Sequence, residues 1–212
     1  MTTFDQLAPT YGQAWTNSAD GHHQRTKVWR EIGGLFRGGD RVLDLGCGIG
    51  DDALHLAGRG VSVHGIDSSI EMVEIAQSRG VSAQHLAIED LGSLEGPYDG
   101  ALSNFGALNC VEDLRAVARN LARLIRPGSA LAACVMGRVC WSETARFLLK
   151  LDWRKATRRW PGHARWRGMD VYYRTSASFV SAFEPEFHLR RRVSIGGGDH
   201  QLFIFTRRPD AA

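Results

Sequence analysis

The sequence of 212 residues has no long hydrophobic run and is poor in cysteine and proline. The longest apolar stretch, residues 130–136, is too short to cross a bilayer, and the first residues lack the pattern of a secretory signal. The cysteines are Cys47, Cys110, Cys134 and Cys140, and because none belongs to a C-x-x-C pair we predict no metal site and no redox motif. These absences predict a cytoplasmic protein with no membrane partner.

The net charge of the whole chain is small, but one segment is strongly basic. The formal net charge is +3, whereas residues 138–174 carry ten Lys and Arg against three Asp and Glu, a local balance of +7. Four of the six tryptophans lie in the same segment, namely Trp141, Trp153, Trp160 and Trp166. The pattern is typical either of a surface for an anionic partner or of a solvated helix face.

Strand-like and helical stretches alternate up to residue 136. The strand-like runs are 41–45, 61–66, 83–88, 98–103 and 130–136, and the helical runs between them are 51–57, 70–79 and 111–125. Because such alternation is typical of parallel strands joined by crossover helices, it predicts an α/β fold with helices on both faces of a mostly parallel sheet.

The two ends of the chain differ from this pattern. Residues 1–37 have helical periodicity, which predicts an N-terminal helical cap. Residues 187–195 and 201–207 are strand-like and are joined by a glycine-rich turn, which predicts an antiparallel hairpin. We therefore expect one domain over 1–212, with 138–174 inserted as a basic, tryptophan-rich lid.

A glycine-rich turn follows the first strand-like run. Its glycines are Gly46, Gly48 and Gly50, whereas the dinucleotide fingerprint G-x-G-x-x-G requires a glycine where Asp51 stands. Asp51 and Asp52 would also place negative charge beside a pyrophosphate, although both are tolerable beside a cationic ligand. The turn therefore argues against a dinucleotide cofactor.

Acidic residues follow the next two strand-like runs. Asp67 ends the second run, where a carboxylate can accept hydrogen bonds from both hydroxyls of a ribose. Ile88-Glu89-Asp90 ends the third run, at a place suited to an adenine edge. An acidic residue at a strand end is more often a helix cap, but the three signals together indicate a cofactor site.

These residues resemble the motifs of class I S-adenosylmethionine-dependent methyltransferases, specifically a bacterial group that acts on small molecules. The matching stretches are 4–11, 42–50, 65–69 with Met72 and Ala76, 98–104 and 124–129. The resemblance covers about residues 4–136. It implies a Rossmann-like, doubly wound, seven-stranded and mostly parallel sheet, with an antiparallel C-terminal hairpin and a helical lid.

The resemblance also implies roles for individual residues toward S-adenosylmethionine. Asp44 would hold the amino group, with Gly46, Cys47 and Gly48 along the methionine part. The remaining contacts would come from Asp67 and Ser68 at the ribose, the Ile88 backbone and Glu89 at adenine, Asn104 near the sulfonium, and Tyr11 closing over the cofactor. Ala87 departs from the pattern, because many relatives carry an aspartate there that bonds the adenine amino group.

The expected reaction is in-line methyl transfer to a small molecule, with S-adenosylhomocysteine as product. The lid composition predicts an anionic or aromatic acceptor, contacted by Phe105, Arg138, Trp141, Tyr172, Tyr173 and Arg174. His22, His23 and His163 lie in segments that face the substrate, but we assign no catalytic base. Open alternatives are an RNA or protein methyltransferase, although no nucleic-acid module is visible, and a non-catalytic cofactor-binding scaffold.

Overall fold

The computed structural model describes residues 3–12, 18–138, 144, 147, 149, 151–153, 157, 159–196 and 199–210. Its main sheet has seven strands in the order β3-β2-β1-β4-β5-β9-β8. These strands are β1 (Arg41–Leu45), β2 (Ser62–Asp67), β3 (Ser82–His85), β4 (Tyr98–Ser103), β5 (Ile125–Met136), β8 (Phe187–Ile195) and β9 (His200–Arg207). Strands β1 to β5 run parallel, and β9 pairs antiparallel with both β5 and β8. The predicted sheet and C-terminal hairpin are confirmed.

The strand order reverses between β1 and β4. From β1 the chain moves outward to β2 and β3, and it then returns to the other side of β1 as β4. In open α/β sheets, ligands bind beyond the carboxyl ends of the strands at such a reversal. The glycine turn after β1 lies at this edge.

Helices cover both faces of the sheet. They are α1 (Thr3–Tyr11), α2 (Ala19–Ile32), α3 (Asp51–Ala57), α4 (Ile70–Ser78), α5 (Leu114–Leu124) and α6 (Ser176–Phe183). Buried side chains of α5 and α6 pack on one face, and those of α2 and α3 pack on the other. Two 3-10 helices, Ile88–Ser93 and Ala107–Cys110, lie after β3 and β4 respectively.

Helix α6 was not anticipated from the sequence. Phe179 and Phe183 pack their rings against Phe203 and Phe205 of β9, with centroids 4.8 Å apart for Phe179–Phe203 and 5.3 Å apart for Phe183–Phe205. Phe187 of β8 joins the same cluster. Eight residues give too short an apolar pattern for periodicity to predict a helix, so packing on the sheet determines it.

The described part of the predicted helical lid contains a two-stranded antiparallel hairpin, formed by β6 (His163–Trp166) and β7 (Met169–Tyr172). Arg167 and Gly168 connect the strands with φ angles of 49° and 88°, and positive φ at both positions suits a tight two-residue turn. Most of residues 139–158 fall outside the described residues. No helix in the described part of the chain is long and apolar enough to cross a membrane.

Gly65 in β2 leaves room for the glycine turn. A Cβ atom at this position would lie 2.7 Å from Cys47 Sγ and 2.8 Å from Cys47 Cβ. Both distances are too short for van der Waals contact, so any side chain here displaces the turn. The close packing of β2 on the turn therefore depends on glycine at this strand position.

We predict that Gly65→Ala lowers the free energy of unfolding by about 1–3 kcal/mol because it overpacks this contact. The matched control is Gly34→Ala, since a Cβ atom there meets nothing within 4 Å. Chemical denaturation of both variants measures the difference. Equal stability of the two variants would contradict the packing described here.

Candidate functional site

The turn after β1 closes against β2 and the loop after β4. The backbone N–H groups of Gly46 and Cys47 both donate to the Ile66 carbonyl, at 2.8 and 2.9 Å. Gly46 has a φ of 72°, and a Cβ atom on it would lie 2.3 Å from the Cβ of Ala107. Only glycine satisfies both the dihedral angle and the space, so the turn begins with bare backbone packed against Ala107.

Asp67 lies at the end of β2, where the sequence predicts it, and its side chain is hydrogen-bonded to this turn. Its Oδ2 accepts a hydrogen bond from Gly48 N and its Oδ1 accepts one from Ser69 N, both at 2.9 Å. Burial raises the pKa of Asp67, although these two backbone donors lower it. Each carboxylate oxygen retains a second lone pair, so Asp67 can still accept hydrogen bonds from a ligand hydroxyl.

Asp44 presents a buried acceptor at the end of β1, two residues before the glycine-rich turn. The residue is 1% exposed, and its Oδ2 has no hydrogen-bond partner among the described residues. Burial, and after it the charge of Asp52, raise the pKa of Asp44 well above the usual range. Since buried polar atoms are nearly always paired, this carboxylate fits a ligand that brings a cationic hydrogen-bond donor, such as an ammonium group.

Asp52 anchors α2 to the site. Its carboxylate accepts hydrogen bonds from Arg25 Nη1 at 2.7 Å, Trp29 Nε1 at 2.6 Å and Asn104 Nδ2 at 3.1 Å. Arg25, Asp52 and Asn104 are all buried. This network joins α2, the start of α3 and the end of β4 at the edge where the glycine turn lies.

Asp51 is paired as well. It lies 2.8 Å from Arg79 Nη2 and 3.7 Å from Arg25 Nη2. The charges of Asp51 and Asp52 are therefore balanced by arginines, and they do not oppose an anion in the way that the sequence alone suggests. The glycine spacing and the unpartnered acceptor of Asp44 are what distinguish this site from a dinucleotide site.

Asn104 and Phe105 follow β4. Asn104 Oδ1 accepts from Phe105 N at 3.0 Å, so the side chain that we expected near a sulfonium is held by this bond and by Asp52. The Arg25 guanidinium lies 4.9 Å from the centre of the Phe105 ring, and the His200 ring meets it edge-on at 5.6 Å. The sequence gives no sign that Arg25, Trp29 and His200 belong to the site, because only the tertiary fold brings them to this edge of the sheet.

Tyr11 reaches the site from the end of α1. Burial raises its pKa to about 12, and the charges of Arg25, Asp52, Asp67 and Asp51 all act on its hydroxyl. The helix is held in place by packing of Ala8 on Ile49 and Met72. It is also held by a hydrogen bond of 2.6 Å from Ser69 Oγ to Asp5 Oδ1.

The residues predicted at adenine border the same edge of the sheet. Ile88 is buried and Glu89 is exposed at the start of the 3-10 helix after β3, and Ser68 is exposed beside Asp67. Leu86 N donates to the Asp67 carbonyl at 2.9 Å, which holds this segment beside the end of β2. The loop after β3 is therefore adjacent to Asp67.

The residues predicted to contact the substrate have different surroundings in the structure, and the two arginines are bonded to backbone carbonyls. Arg174 Nη2 donates to the backbone carbonyls of Val111 and Glu112, at 2.8 and 2.6 Å, and its guanidinium lies 5.1 Å from the centre of the Tyr172 ring. Arg138 Nε donates to the Trp160 carbonyl at 2.7 Å. These two arginines are thus engaged by backbone groups.

Tyr173 and Phe105 have other neighbours. Tyr173 lies under the guanidinium of Arg159 at 5.3 Å, and Arg159 pairs with Asp199 at 2.7 Å. Trp141 lies outside the described residues. Of the histidines considered from the sequence, His22 and His23 are exposed on α2, and His163 bonds Asp170 across the hairpin at 2.9 Å.

The chain has recognisable relatives. Residues 42–128 match the family model of a methyltransferase domain. The 2-phytyl-1,4-naphtoquinone methyltransferase of Trichormus variabilis is 32% identical over 143 residues, which cover 61% of this chain and 61% of that protein. The 27-O-demethylrifamycin SV methyltransferase of Amycolatopsis mediterranei is 31% identical over 149 residues, which cover 61% of this chain and 55% of that protein. The matches thus span less than two thirds of these relatives.

Solved structures share the fold more completely. The 1,6-didemethyltoxoflavin-N1-methyltransferase of Burkholderia thailandensis, solved with 1,6-didemethyltoxoflavin and S-adenosylhomocysteine, aligns with a TM-score of 0.68 and 19% identity. The alignment covers 98% of this chain and 86% of that one. Taken with the strand order and the glycine turn, these matches show that residues 42–128 are similar to a methyltransferase domain and that the chain has the fold of solved S-adenosylmethionine-dependent methyltransferases.

Proposed function

We propose that this chain transfers the methyl group of S-adenosylmethionine to a small molecule that is aromatic or anionic. The observation that carries the proposal is the buried, unpartnered Oδ2 of Asp44 at the end of β1, two residues before the glycine-rich turn. Names of similar proteins support a small acceptor, since the relatives are named as methyltransferases of a phytyl naphthoquinone and of a demethylrifamycin, and a structural neighbour as one of 1,6-didemethyltoxoflavin.

In this proposal each group of site residues contacts one part of the cofactor. Asp44 holds the amino group, and Gly46, Cys47 and Gly48 lie along the methionine part. Asp67, with Ser68 beside it, accepts from the ribose hydroxyls through its remaining lone pairs. The backbone of Ile88 and the carboxylate of Glu89 face adenine, with Asn104 and Tyr11 near the sulfonium.

The residues of the chain align the acceptor and exclude water, since the bound cofactor supplies a methyl group that is already activated. Orientation of the reacting groups contributes about 7–11 kcal/mol in favourable cases. The ring of Tyr11 stabilises the cationic centre through a cation–π interaction of about 0.5–2 kcal/mol. A general base is needed only for an acceptor that must first lose a proton.

The arginines already have hydrogen-bond or ion-pair partners within the protein, and this favours an aromatic acceptor over an anionic one. Arg25 is paired with Asp52, Arg159 is paired with Asp199, and Arg174 donates to two backbone carbonyls. The carboxylates compensate the charges of Arg25 and Arg159, and the two carbonyls occupy donors of Arg174 that an anion would otherwise use. The ring of Phe105, with His200 against its edge, instead provides a surface for stacking.

Asp44→Asn tests the cofactor half of the proposal. Because burial raises the folded-state pKa of Asp44, this carboxylate reduces stability as the pH rises above the unfolded-state pKa, and the reduction is complete above the folded-state pKa. At about pH 8 we expect the variant to be more stable than the parent by about 1–3 kcal/mol. The gain should vanish below about pH 3, where both states of the parent carry a neutral carboxyl group.

The same variant should bind S-adenosylmethionine at least about tenfold more weakly, since it loses a charge-assisted hydrogen bond. Urea denaturation across this pH range and calorimetric titration measure the two effects. A variant that is less stable than the parent at the higher pH, yet binds the cofactor equally well, would show that Asp44 has only a structural role.

Phe105→Leu tests the acceptor half. We expect product formation with planar aromatic acceptors to exceed that with aliphatic acceptors. The substitution should lower kcat/KM for an aromatic acceptor by about tenfold through lost stacking, while S-adenosylmethionine affinity changes less than about twofold. Assays of S-adenosylhomocysteine release over a panel of acceptors provide the measurement. Equal rates for both acceptor classes, or no effect of the substitution, would contradict the aromatic assignment.

A further inference from the structure

Exposed apolar side chains are concentrated in one short stretch. Of the large hydrophobic side chains that are more than two-fifths exposed in the described part of the chain, all but Ile70 lie between residues 149 and 166. They are Leu149, Leu151, Trp153, Trp160 and Trp166, with exposed fractions of 87, 80, 65, 49 and 44% respectively. Clustered exposed apolar groups mark an interaction surface more often than scattered ones do.

Positive charge accompanies these apolar groups. Residues 138–174 carry a balance of +7, and Arg165 and Arg167 are exposed beside Trp166. The Arg167 guanidinium lies 5.2 Å from the centre of the Trp166 ring. We call Leu149, Leu151, Trp153, Trp160 and Trp166, together with Arg165 and Arg167, the Trp/Arg surface.

Backbone turns and a hairpin present this surface. Trp160 N donates to the Thr157 carbonyl at 2.9 Å, and Thr157 N donates to the Trp153 carbonyl at 3.1 Å, so successive turns connect the two tryptophans. The two-residue turn at Arg167 and Gly168 places Trp166 at the tip of the β6–β7 hairpin.

The base of the same segment is attached to the carboxyl edge of the main sheet. Arg138 N donates to the Arg174 carbonyl at 3.1 Å, next to the end of β5. Asn109 Nδ2 donates to the carbonyls of Met136 and Tyr172, at 2.9 and 2.8 Å. The Trp/Arg surface is thus tied to the edge that carries the cofactor site.

We propose that the Trp/Arg surface docks the protein on an anionic lipid membrane. Tryptophan favours the membrane–water interface, leucine favours the acyl region beneath it, and cations are attracted to anionic headgroups. The sequence predicted no membrane partner because it contains no membrane-spanning segment, but peripheral docking needs none. Docking is a property of the surface and does not require methyl transfer.

The composition of the surface favours lipid over RNA or protein. RNA recognition uses aromatic rings for stacking and cations for phosphates, and it gives no role to the exposed aliphatic side chains of Leu149 and Leu151. Protein interfaces also use tryptophan and arginine, but leucine is under-represented among the residues that contribute most of their binding energy, whereas Leu149 and Leu151 are the most exposed of the described large hydrophobic side chains. An anionic membrane accommodates all three groups at once.

The test is co-sedimentation of the full chain with vesicles. We expect binding to vesicles of about equal phosphatidylglycerol and phosphatidylcholine, at least about tenfold weaker binding to phosphatidylcholine alone, and a marked decrease on addition of salt. Combined replacement of Trp153, Trp160 and Trp166 by serine should weaken binding at least about tenfold. Thermal melts establish that this variant folds, and Arg165→Glu with Arg167→Glu provides a second variant on exposed positions.

Matched controls lie elsewhere on the surface. Ile70→Ser and Arg190→Ser also replace an exposed apolar side chain and an exposed cation, but they lie on α4 and β8, and both should bind as the parent does. Absence of vesicle binding by the parent would overturn the proposal, as would unchanged binding by both surface variants. Vesicle-independent dimerisation or RNA binding that the same variants abolish would assign the surface to a different partner.

Discussion

The buried ion pair between Arg25 and Asp52 is the interaction on which the site depends. Two charges are removed from water here, which is costly unless their remaining hydrogen-bonding capacity is used. Asp52 meets that condition through Trp29 and Asn104. Loss of one partner from such a pair leaves an uncompensated buried charge and typically costs about 3–5 kcal/mol. The pair therefore fixes α2 and the end of β4 relative to the glycine turn.

The site that this ion pair fixes contains groups that lower the stability of the ligand-free protein. Asp44 is buried with an unpartnered oxygen, and Tyr11 has a pKa raised to about 12 by burial. Buried polar atoms without partners reduce stability, and they recur where a ligand completes the hydrogen bonding. The desolvation of Asp44 also favours ligand binding, because it strengthens the attraction of this carboxylate for an incoming ammonium group.

The sequence predicted the sheet, the turn and Asp67 because each has a local signal. Glycines at 46, 48 and 50 and the carboxylate at the end of β2 are visible in order along the chain. Arg25 and His200 have no such signal, since α2 and β9 reach the site only through tertiary packing. The hairpin at 163–172 was predicted as part of a helical lid, although Arg167-Gly168 is a two-residue turn in the structure. Helix α6 is likewise determined by its aromatic contacts with the sheet.

Calorimetric titration of the folded protein with S-adenosylmethionine and with NADH tests most directly whether the turn after β1 and Asp67 form the cofactor site. We expect micromolar binding of S-adenosylmethionine, no binding of NADH, and at least about tenfold weaker binding by Asp67→Ala because hydrogen bonds to the ribose are lost. Glu74→Ala, which removes an exposed carboxylate of α4 that has no contact with the cofactor in this account, serves as the matched control and should change the affinity far less. Binding of NADH, or S-adenosylmethionine affinity that does not change in Asp67→Ala, would contradict this assignment.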